Sequence, residues 1–451
     1  MAVTFSIDAL ARLSGEPVDR LREWRNLGLL GSAATEVFAP DDVVRVRLVR
    51  LLLHHGMDLD AVAAWARSSE SVLDAALVAS RGAVAYSPAE AAGRLGVPPA
   101  TLDRLLSATG WTSSAPLDDE DLEALRVWKI ALDAGFPEEA MVQFVRVLRD
   151  VMRRVADTQA QLLHVDIRRR LQALGLTGGA LAAAVEKAVD ELLGPVRSAL
   201  LYFYRLALRE AVEETAVLQA AEEAGLRRVT DVPGQVEVAV VFVDLASSTS
   251  LADAMGDLKM AEVLDRFSIL VREAAARTNG HVIKQIGDAF MLTFHVPDTA
   301  VVCALDIEAA AGGEPHFPAV RAGVHWGDAL YREGDYVGTT VNVAARLADE
   351  AGRHQVLVSG SARRAVRDPG SVEFVPLGSR HLRGVSRAVE LFEARREAAG
   401  RRARAIDVVC GMELGPGEVR ARLARGARER VFCSDECLQR YASAPERYET
   451  A

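Results

Sequence analysis

The residues with the clearest chemical potential are two aspartates that follow apolar strands. Residues 238–243 form a continuous valine-rich run, typical of a strand buried on both faces, and Asp244 comes directly after it. Asp288 lies in a Gly-Asp turn between the apolar segments 281–286 and 289–292, which predicts a hairpin with the carboxylate at its tip. Carboxylates on neighbouring strands can hold divalent metal ions against phosphate oxygens. Alone, this pair is weak evidence for metal-dependent chemistry on a phosphate.

A second candidate pair is Asn342 and Arg346, which stand four residues apart in a segment that predicts a helix over residues 340–351. This spacing places both side chains on one face of the helix. An amide can orient a ribose, and a fixed guanidinium can stabilise the charge that develops at phosphorus during transfer. Each residue singly is also common on a solvated helix surface, so the spacing alone leaves both interpretations open.

The elements that must position these residues alternate between strands and helices from about residue 236 onward. After the first strand, the pattern predicts a helix over residues 249–279 with a break near Gly256. The hairpin, a helix over residues 298–311 and a strand over residues 320–325 follow. Strands that alternate with helices predict helices layered on a sheet.

Four motifs, in order over one domain, resemble the class III adenylate/guanylate cyclase catalytic domain across residues 236–394. They lie at residues 241–245, 284–288, 321–325 and 335–346. The resemblance implies an α+β ferredoxin-like fold. It also implies that Asp244 and Asp288 hold two Mg²⁺ or Mn²⁺ ions, with the Leu245 carbonyl as a further ligand.

The resemblance also assigns substrate contacts. In the family a Lys and an Asp or Thr read adenine, whereas guanylate cyclases have Glu and Cys there, and this chain has Lys284 and Asp335. Lys can donate to adenine N1 and Asp can accept from the exocyclic amine, so the pair predicts ATP as substrate. Arg321 and Arg383 fall where the family places triphosphate contacts.

The family forms its site between two domains, with metal ligands on one and base-reading residues on the other. It gives the catalytic roles to residues at the positions of Asn342 and Arg346. This chain carries both sets in one domain, so the resemblance implies a homodimer with two equivalent sites. A monomer is expected to be inactive.

The N-terminal half is predicted to be helical. Residues 1–75 resemble the MerR-type winged helix-turn-helix, on two short helices, a turn and a long helix. Acidic side chains outnumber basic ones over residues 1–70, and the wing at residues 31–37 carries no basic residue. Because affinity for DNA comes mainly from phosphate neutralisation, protein contact or ligand sensing is favoured and DNA binding is disfavoured.

Residues 82–228 contain a second helix-turn-helix-like copy, because residues 86–96 repeat residues 5–15 in kind, and then a helical regulatory or linker segment. Apolar residues in that segment recur at helical spacing: Met141, Phe144, Val145, Leu148 and Met152. A dimerisation helix and a plain core helix both fit this pattern.

A basic linker at residues 395–404 leads from the catalytic domain, residues 234–396, to a C-terminal module at residues 405–451 that resembles the YHS domain. Its cysteines are Cys410, Cys433 and Cys437. That domain is associated with metal handling, and three thiols in so small a module suit a soft or borderline ion such as Zn²⁺ or Cu⁺. Reduced structural cysteines are the alternative, and the sequence identifies no fourth ligand.

Length and composition agree with this multidomain organisation. The chain has 451 residues, a formal net charge of −10 and 4 cysteines. The acidic balance argues against a general nucleic-acid coat, and no window approaches the roughly 20 apolar residues that span a bilayer, so no membrane insertion is expected. So few cysteines argue against a disulfide framework, and the N-terminus lacks a signal-peptide pattern, which predicts a cytoplasmic protein.

The sequence therefore predicts a multidomain adenylate cyclase with a helical N-terminal half, a ferredoxin-like α+β catalytic domain and a small cysteine-containing module. It would convert ATP to 3′,5′-cyclic AMP and pyrophosphate under regulation by the flanking modules. A MerR-like transcription regulator that uses the cyclase domain as a nucleotide sensor is the alternative. A catalytically silent dimerisation scaffold is disfavoured, because no essential family position is missing.

Overall fold

The computed structural model of the protein describes residues 6–30, 37–68, 86–110, 117–225, 228, 230, 232–368, 370–396, 404–425 and 428–448. These residues belong to two compact units, residues 1–220 and residues 221–451. The predicted wing lies outside the described residues except for Val37. Most of the predicted basic linker, residues 397–403, also lies outside them. No helix in the described part of the chain has the length and apolar character needed to cross a membrane.

The described part of the first unit is helical. Its helices are α1 (Ile7–Ser14), α2 (Val18–Asn26), α3 (Pro40–His54), α4 (Leu59–Ser68), α5 (Pro88–Leu95), α6 (Pro99–Ala108), α7 (Asp119–Asp133), α8 (Glu138–Leu162), α9 (Arg169–Ala173) and α10 (Gly178–Glu223), with a π-helical turn at Leu163–Arg168. Ser6 caps α1 and Ser87 forms a capping box with Glu90 at α5, so both copies begin with the same local signal.

The two copies bury separate cores. Leu10, Leu21 and Trp24 lie in the first core, together with Phe38 ahead of α3. The second core contains buried residues of α5, α6 and α7, in the same helix order as α1 to α3. Amphipathic helices of this kind gain most of their stability from the buried apolar face.

The apolar residues predicted on α8 divide between two environments. Met141 and Val145 are buried, whereas Phe144, Leu148 and Met152 are 51%, 40% and 41% exposed. The spacing therefore predicted a helix correctly, but only the start of that apolar face contacts the unit's own core. Its use as a dimerisation surface stays a prediction.

The second unit is organised around a mixed sheet. Its strands are β1 (Gln235–Leu245), β2 (His281–Ile286), β3 (Ala289–Phe294), β4 (Phe317–Pro318), β5 (Val320–Arg332), β6 (Asp335–Val337), β7 (Val356–Ser359), β8 (Val372–Arg380) and β9 (Val389–Arg396). The strand order is β2-β3-β1-β5-β7-β9-β8, and β6 pairs with β5 outside this path. Neighbours are antiparallel except for the parallel pair β5 and β7.

The helices of this unit are α11 (Ser248–Met255), α12 (Asp257–Arg277), α13 (Pro297–Gly313), α14 (Thr339–Glu350) and α15 (Gly360–Ala365). The order β1-α12-β2-β3-α13-β5, with the strands lying as β2-β3-β1-β5, is the ferredoxin-like βαββαβ arrangement. The predicted fold class is confirmed, and the predicted break near Gly256 separates α11 from α12.

Strand β1 is buried on both faces, as its valine-rich run predicts. Val241 and Val243 pack in the core that contains residues of α12 and α13, whereas Val240 and Phe242 pack in a second core with Ala344 of α14. The strand that carries Asp244 is therefore fixed from both sides of the sheet.

Helix α14 lies very close to β5 at Gly323. A Cβ atom at this position would lie 2.3 Å from the backbone nitrogen of Ala348 and 2.5 Å from the carbonyl oxygen of Ala344. Only glycine therefore permits this approach, which sets the position of the helix that carries Asn342 and Arg346.

The C-terminal segment packs on the same unit. It contains β10 (Ala405–Ile406), β11 (Met412–Leu414), β12 (Ala421–Arg425), β13 (Arg428–Phe432), helix α16 (Asp435–Ser443) and a 3₁₀ turn at Pro445–Arg447. Strand β11 pairs with β10 and with β4. Val409, Met412 and Phe432 are buried in the same core as β1 and α12. The segment is thus joined to the catalytic fold by a sheet and by a shared core.

Candidate functional site

Asp244 is a half-buried carboxylate near the end of β1, directly opposite Arg321 on β5. Its Oδ2 accepts a hydrogen bond from Arg321 Nε at 3.0 Å. Its Oδ1 is buried and has no hydrogen-bond partner among the described residues. Burial, reinforced by the neighbouring Asp288 carboxylate, raises the pKa of Asp244 to about 6, although Arg321 acts in the opposite direction.

Asp288 lies in the turn of the predicted hairpin. Ile286 pairs with Ala289, and Gly287 adopts φ +62°, so the turn is as tight as the sequence indicated. Its carboxylate is near enough to Asp244 to help raise the pKa of Asp244. Leu245 is buried and ends β1 immediately after Asp244.

The carboxylate pair fits a divalent cation. Two neighbouring half-buried carboxylates repel each other when both are charged, and a buried oxygen without a hydrogen bond, as at Asp244 Oδ1, is costly. A hard cation between Asp244 and Asp288 would remove both penalties, because carboxylate oxygens are the ligands that Mg²⁺ and Mn²⁺ prefer.

Lys284 and Asp335 form an ion pair on the same unit. Lys284 Nζ on β2 donates to Asp335 Oδ2 on β6, and Asp335 Oδ1 accepts from the backbone N–H of Tyr336. Both side chains are about one-third exposed, at 34% and 35%. The structure therefore pairs two residues that are 51 positions apart in sequence. The family resemblance predicts that both of them recognise the adenine base.

Asn342 and Arg346 lie on the exposed face of α14, while Val343 and Leu347 on the opposite face are buried. The predicted common face is confirmed. Arg346 Nη1 donates to Asp349 Oδ2 at 2.7 Å, in a pair in which both side chains are largely exposed.

Within one chain, the Asp244 carboxylate is linked to the end of α14, whereas the Lys284–Asp335 pair is not linked to it. Arg321 connects Asp244 to the end of α14, because its Nη1 also donates to the Asp349 carbonyl at 3.2 Å. In the part of the chain that the structure describes, no hydrogen bond or ion pair joins the Lys284–Asp335 pair to Asp244. Arg383 is exposed after the buried Leu382, away from any such contact with the carboxylates among the described residues.

Two family models and many curated relatives match this chain. A model of the adenylate and guanylate cyclase catalytic domain matches residues 231–393, and a model of the MerR HTH family regulatory protein matches residues 5–69. A pH-sensitive adenylate cyclase of Mycobacterium tuberculosis is 30% identical over 371 residues, which cover 78% of this chain and 88% of that protein. The chain belongs to the adenylate and guanylate cyclase family.

Further similar proteins share parts of this cyclase. An adenylate cyclase of Streptomyces coelicolor is 29% identical over 283 residues, covering 60% of this cyclase and 69% of that protein. Among solved structures, an adenylate cyclase of Trypanosoma brucei is 24% identical and covers 39% of this cyclase and 94% of that chain, with a TM-score of 0.35. The predicted cyclase and MerR resemblances are confirmed, and the YHS resemblance stays a prediction.

The structure also brings the three C-terminal cysteines of this cyclase together. Cys433 Sγ lies 3.6 Å from Cys410 Sγ and 3.6 Å from Cys437 Sγ. These distances are too long for a disulfide, whose sulfurs lie about 2.05 Å apart. They are close to the ~3.8 Å that separates two sulfurs bound tetrahedrally at about 2.3 Å from Zn²⁺.

Asp407 is a fourth member of this cluster that the sequence reasoning missed. One carboxylate oxygen of Asp407 and the three sulfurs all lie within 4.8 Å of one another. Asp407 is fully buried and accepts hydrogen bonds from the backbone N–H groups of Val409 and Cys433. Its position three residues before Cys410 is the spacing that two neighbouring metal ligands often have, so a signal existed.

Protonation within the cluster also favours a cation. Hydrogen bonds with the neighbouring thiols, together with burial, raise the pKa of Cys410, whereas hydrogen bonds from Cys410 and Cys433 lower the pKa of Cys437. Burial raises the pKa of Asp407. Three buried groups and one partly buried thiol that compete for protons form an environment that a bound metal ion stabilises, because the ion binds them as anions.

Proposed function

We propose that this cyclase is an adenylate cyclase, which converts ATP to 3′,5′-cyclic AMP and pyrophosphate with Mg²⁺ or Mn²⁺ at a homodimer interface. The observation that carries the proposal is the pair of carboxylates, Asp244 and Asp288, with one buried oxygen lacking a partner. Two ions bound there would activate the ribose 3′-oxygen and neutralise charge on the triphosphate. The Leu245 carbonyl is proposed as a further ligand.

Base recognition is proposed for Lys284 and Asp335. Their mutual ion pair holds the two groups at one place while each remains about one-third exposed. Adenine would replace that pair, with Lys284 donating to N1 and Asp335 accepting from the exocyclic amine. Guanine presents a donor at N1 and an acceptor at O6, so it would leave both groups wrongly matched.

The remaining proposed roles lie around phosphorus. The 3′-oxygen attacks the α-phosphorus in line, the bond to the bridging oxygen breaks, pyrophosphate leaves with the electron pair, and the 3′-hydroxyl proton passes to water. Asn342 orients the ribose and Arg346 stabilises the charge at phosphorus. The exposed Arg346–Asp349 pair is worth at most about 1 kcal/mol, so Arg346 can exchange it for phosphate at little cost. Arg321 and Arg383 are proposed to contact the triphosphate.

A homodimer is proposed because, among the described residues of one chain, no hydrogen bond or ion pair brings the Lys284–Asp335 pair to Asp244. The exposed face of α14 and the Lys284–Asp335 pair would then meet the Asp244 carboxylate of the partner. Two equivalent sites result. We propose that each chain of this dimer consists of four modules, at residues 1–75, 82–228, 234–396 and 405–451. A cytoplasmic location is proposed because ATP and reduced thiols belong to that compartment.

The experiment is cyclic AMP formation from ATP by the purified full chain, with Asp288→Asn as the test variant. Loss of one metal ligand should lower kcat more than about 100-fold, since even groups that only orient a ligand are worth about 10- to 100-fold. Asp265→Asn is the matched control, because Asp265 is an exposed carboxylate on α12 and should leave the rate unchanged. Full activity of Asp288→Asn would remove the metal assignment.

A second proposal concerns the cysteine cluster, which we assign to a Zn²⁺ or Cu⁺ ion held by Cys410, Cys433 and Cys437 with Asp407. The 3.6 Å separations of the sulfurs support it. Metal analysis of the full chain should give one such ion per chain, and Cys433→Ser should lose it. Cys303→Ser is the control, because Cys303 is buried in the catalytic core outside the cluster. No metal in the wild type would favour reduced structural cysteines.

Duplex DNA binding is the competing function, and the MerR match over residues 5–69 is the observation in its favour. The charges of α2 argue against it. Arg20 pairs with the buried Glu16, which also pairs with Arg50, and Arg22 pairs with Asp19. We expect no salt-sensitive, sequence-selective binding of duplex DNA by the full chain at low salt. Such binding would instead support a transcription regulator with a nucleotide-sensing cyclase domain.

A further inference from the structure

The loop that follows the proposed metal ligands contains a strained residue, Ser247. It adopts φ +69° and ψ +28°, a left-handed conformation that non-glycine residues rarely occupy. It precedes α11, yet its side chain makes no capping bond to that helix. Strained conformations persist only where the surrounding structure holds them, so the contacts of Ser247 decide the shape of this loop.

The C-terminal segment supplies one of those contacts through Gly411. A Cβ atom on Gly411 would lie 2.8 Å from Ser247 Cβ and 3.3 Å from its Oγ, so glycine alone permits the approach. Gly411 itself has φ +73°. Its N–H donates to the Asp407 carbonyl at 2.8 Å, which closes the turn that carries both Asp407 and Cys410.

Arg353 stabilises the same contact with hydrogen bonds to both sides. Its Nη1 donates to Ser247 Oγ at 3.1 Å and its Nη2 donates to the Gly411 carbonyl at 2.7 Å. It also forms an ion pair of 3.5 Å with Glu413. Ser247 Oγ therefore contacts Arg353 and makes no capping bond to α11. One guanidinium therefore joins the loop after the carboxylates to the turn beside the cysteine cluster.

The other end of α11 is held by the same C-terminal segment. Arg440 of α16 donates to the Asp253 carbonyl at 2.9 Å, and Arg447 pairs with the Asp253 carboxylate at 3.4 Å. Leu251 of α11 is buried in the core that also contains Cys410 and Cys437. Residues of the cysteine-containing segment thus contact both Ser247, directly before α11, and Asp253 near the end of α11.

We propose that the Cys410–Gly411 turn and Arg353 position the loop after Asp244, so that a thiophilic metal ion in the Asp407 and cysteine cluster makes the catalytic site competent to bind metal-nucleotide. Gly411 and Arg353 are positioning residues that act through Ser247. The inference rests on the proposed adenylate cyclase function. The contacts that support it do not involve the substrate.

Few residues separate the cysteine cluster from Asp244. Cys410 is a ligand in the cluster and its neighbour Gly411 touches Ser247, which is three residues from Asp244. An ion bound to Asp407, Cys410, Cys433 and Cys437 would cross-link this turn to the segment that carries Cys433 and Cys437, and would so limit the shifts by which the strained loop could relax. Because linkage is reciprocal, nucleotide bound at the catalytic site must strengthen ion binding in the cluster by the same factor.

The first test compares Gly411→Ala with Gly417→Ala. An added Cβ at residue 417 meets nothing within 4 Å and the backbone there is not left-handed, so Gly417→Ala is the matched control. Hydrogen exchange of the full chain is measured for peptides over residues 244–256 and for the hairpin peptide over residues 281–294. We expect Gly411→Ala, but not Gly417→Ala, to speed hydrogen exchange of residues 244–256. Neither variant should change the exchange of the hairpin peptide. Equal exchange in both variants would overturn the proposal.

Gly411→Ala is informative only if the C-terminal segment stays folded, which Co²⁺ bound in the cluster reports through its thiolate absorption bands. If the Co²⁺ bands are lost, Arg353→Met replaces it, because this variant removes the bonds to Ser247 and Gly411 but keeps the aliphatic stem. It should keep the Co²⁺ bands and reproduce the faster exchange of residues 244–256. Wild-type exchange in Arg353→Met would contradict the positioning role.

The second test measures coupling without turnover. Binding of Mg²⁺ with 3′-deoxy-ATP, which lacks the attacking hydroxyl, is measured for the Co²⁺-loaded and the chelator-treated full chain. Loading should tighten nucleotide binding by a factor of about 5 to 150, and the nucleotide should tighten Co²⁺ binding equally. Cys437→Ser should abolish the difference.

Equal nucleotide affinities with and without Co²⁺ would refute the regulatory role. Failure of the proposed function would look different. A wild-type chain that binds the analogue and shows the coupling, yet forms no cyclic AMP from ATP, would refute the cyclase proposal alone.

Discussion

Replacing His354 by Asn should destabilise the second unit by an amount that shrinks as the pH rises. The His354 ring nitrogens lie 2.9 Å from Glu308 Oε1 on α13 and 2.7 Å from Glu413 Oε2 on β11. Burial alone would lower the pKa of His354, but hydrogen bonds and charge from the two carboxylates raise it to about 9. Glu413 also forms an ion pair of 3.5 Å with Arg353.

The magnitude follows from the difference between the folded and unfolded pKa of His354. Its ordinary value is 6.5, and its folded value is about 9. A raised folded pKa gives stability that is complete below the unfolded value and is lost as the pH rises through the folded value. The contribution is about 3 kcal/mol at pH 6, about 2 kcal/mol at pH 7.5 and below about 0.5 kcal/mol at pH 9.

The assay is urea unfolding of wild type and His354→Asn at these three pH values. Asn is chosen because residue 354 has φ +54°, which Asn tolerates better than most residues. Unfolding is followed as the accessibility of Cys303 to a saturating alkylation pulse, quantified by peptide mass spectrometry. Cys303 is fully buried on α13, the helix that carries Glu308, so its exposure reports opening of this unit.

The control is His381→Asn, at an exposed histidine, which should change stability equally at all three pH values. Comparing each variant with wild type removes pH effects common to both. A His354→Asn difference that stays constant between pH 6 and pH 9, or that grows with pH, would refute the assignment of a charged histidine between the two carboxylates.

Three further results are expected. The double change Lys284→Glu and Asp335→Cys should lower ATP turnover and raise GTP turnover, measured as the two cyclic products; an unchanged ratio would contradict base reading by this pair. Mixing inactive Asp288→Asn and Arg346→Ala chains should restore up to about a quarter of the wild-type rate, because half of the dimers then hold one intact site; no recovery would contradict the shared site. Gly323→Ala should destabilise the chain by about 1 to 3 kcal/mol and reduce kcat by displacing α14, checked by urea unfolding and turnover.

Local pattern accounts for much of the fold that the sequence predicted. The valine-rich run before Asp244 specifies a strand buried on both faces, and the Gly287 turn specifies a hairpin. Both are encoded within a few residues, since periodicity and turn chemistry act over that range. The order of the motifs indicated the cyclase family. That resemblance predicted the ferredoxin-like topology, which the structure confirms. The roles proposed for individual site residues still await the experiments above.

Contacts between distant parts of the chain were decided only by tertiary packing. The sequence reasoning expected a cysteine cluster but not Asp407, because a lone Asp before Cys410 has many uses until β13 brings Cys433 beside it. It gave no sign that His354 lies between two carboxylates, which are 46 and 59 residues away. Such pairs depend on how whole helices and strands pack together, and local sequence periodicity does not indicate that packing.

The same reason explains the position of the C-terminal segment. By itself the sequence determined a small cysteine-containing module after a basic linker, with no indication of where it would pack. The tertiary structure joins it to the catalytic fold through β11 and β4 and places Gly411 against Ser247, 164 positions earlier in the chain. The approach of the Ser247 side chain requires a residue without a Cβ atom at position 411, but which group lies against a glycine is settled only when the chain is folded.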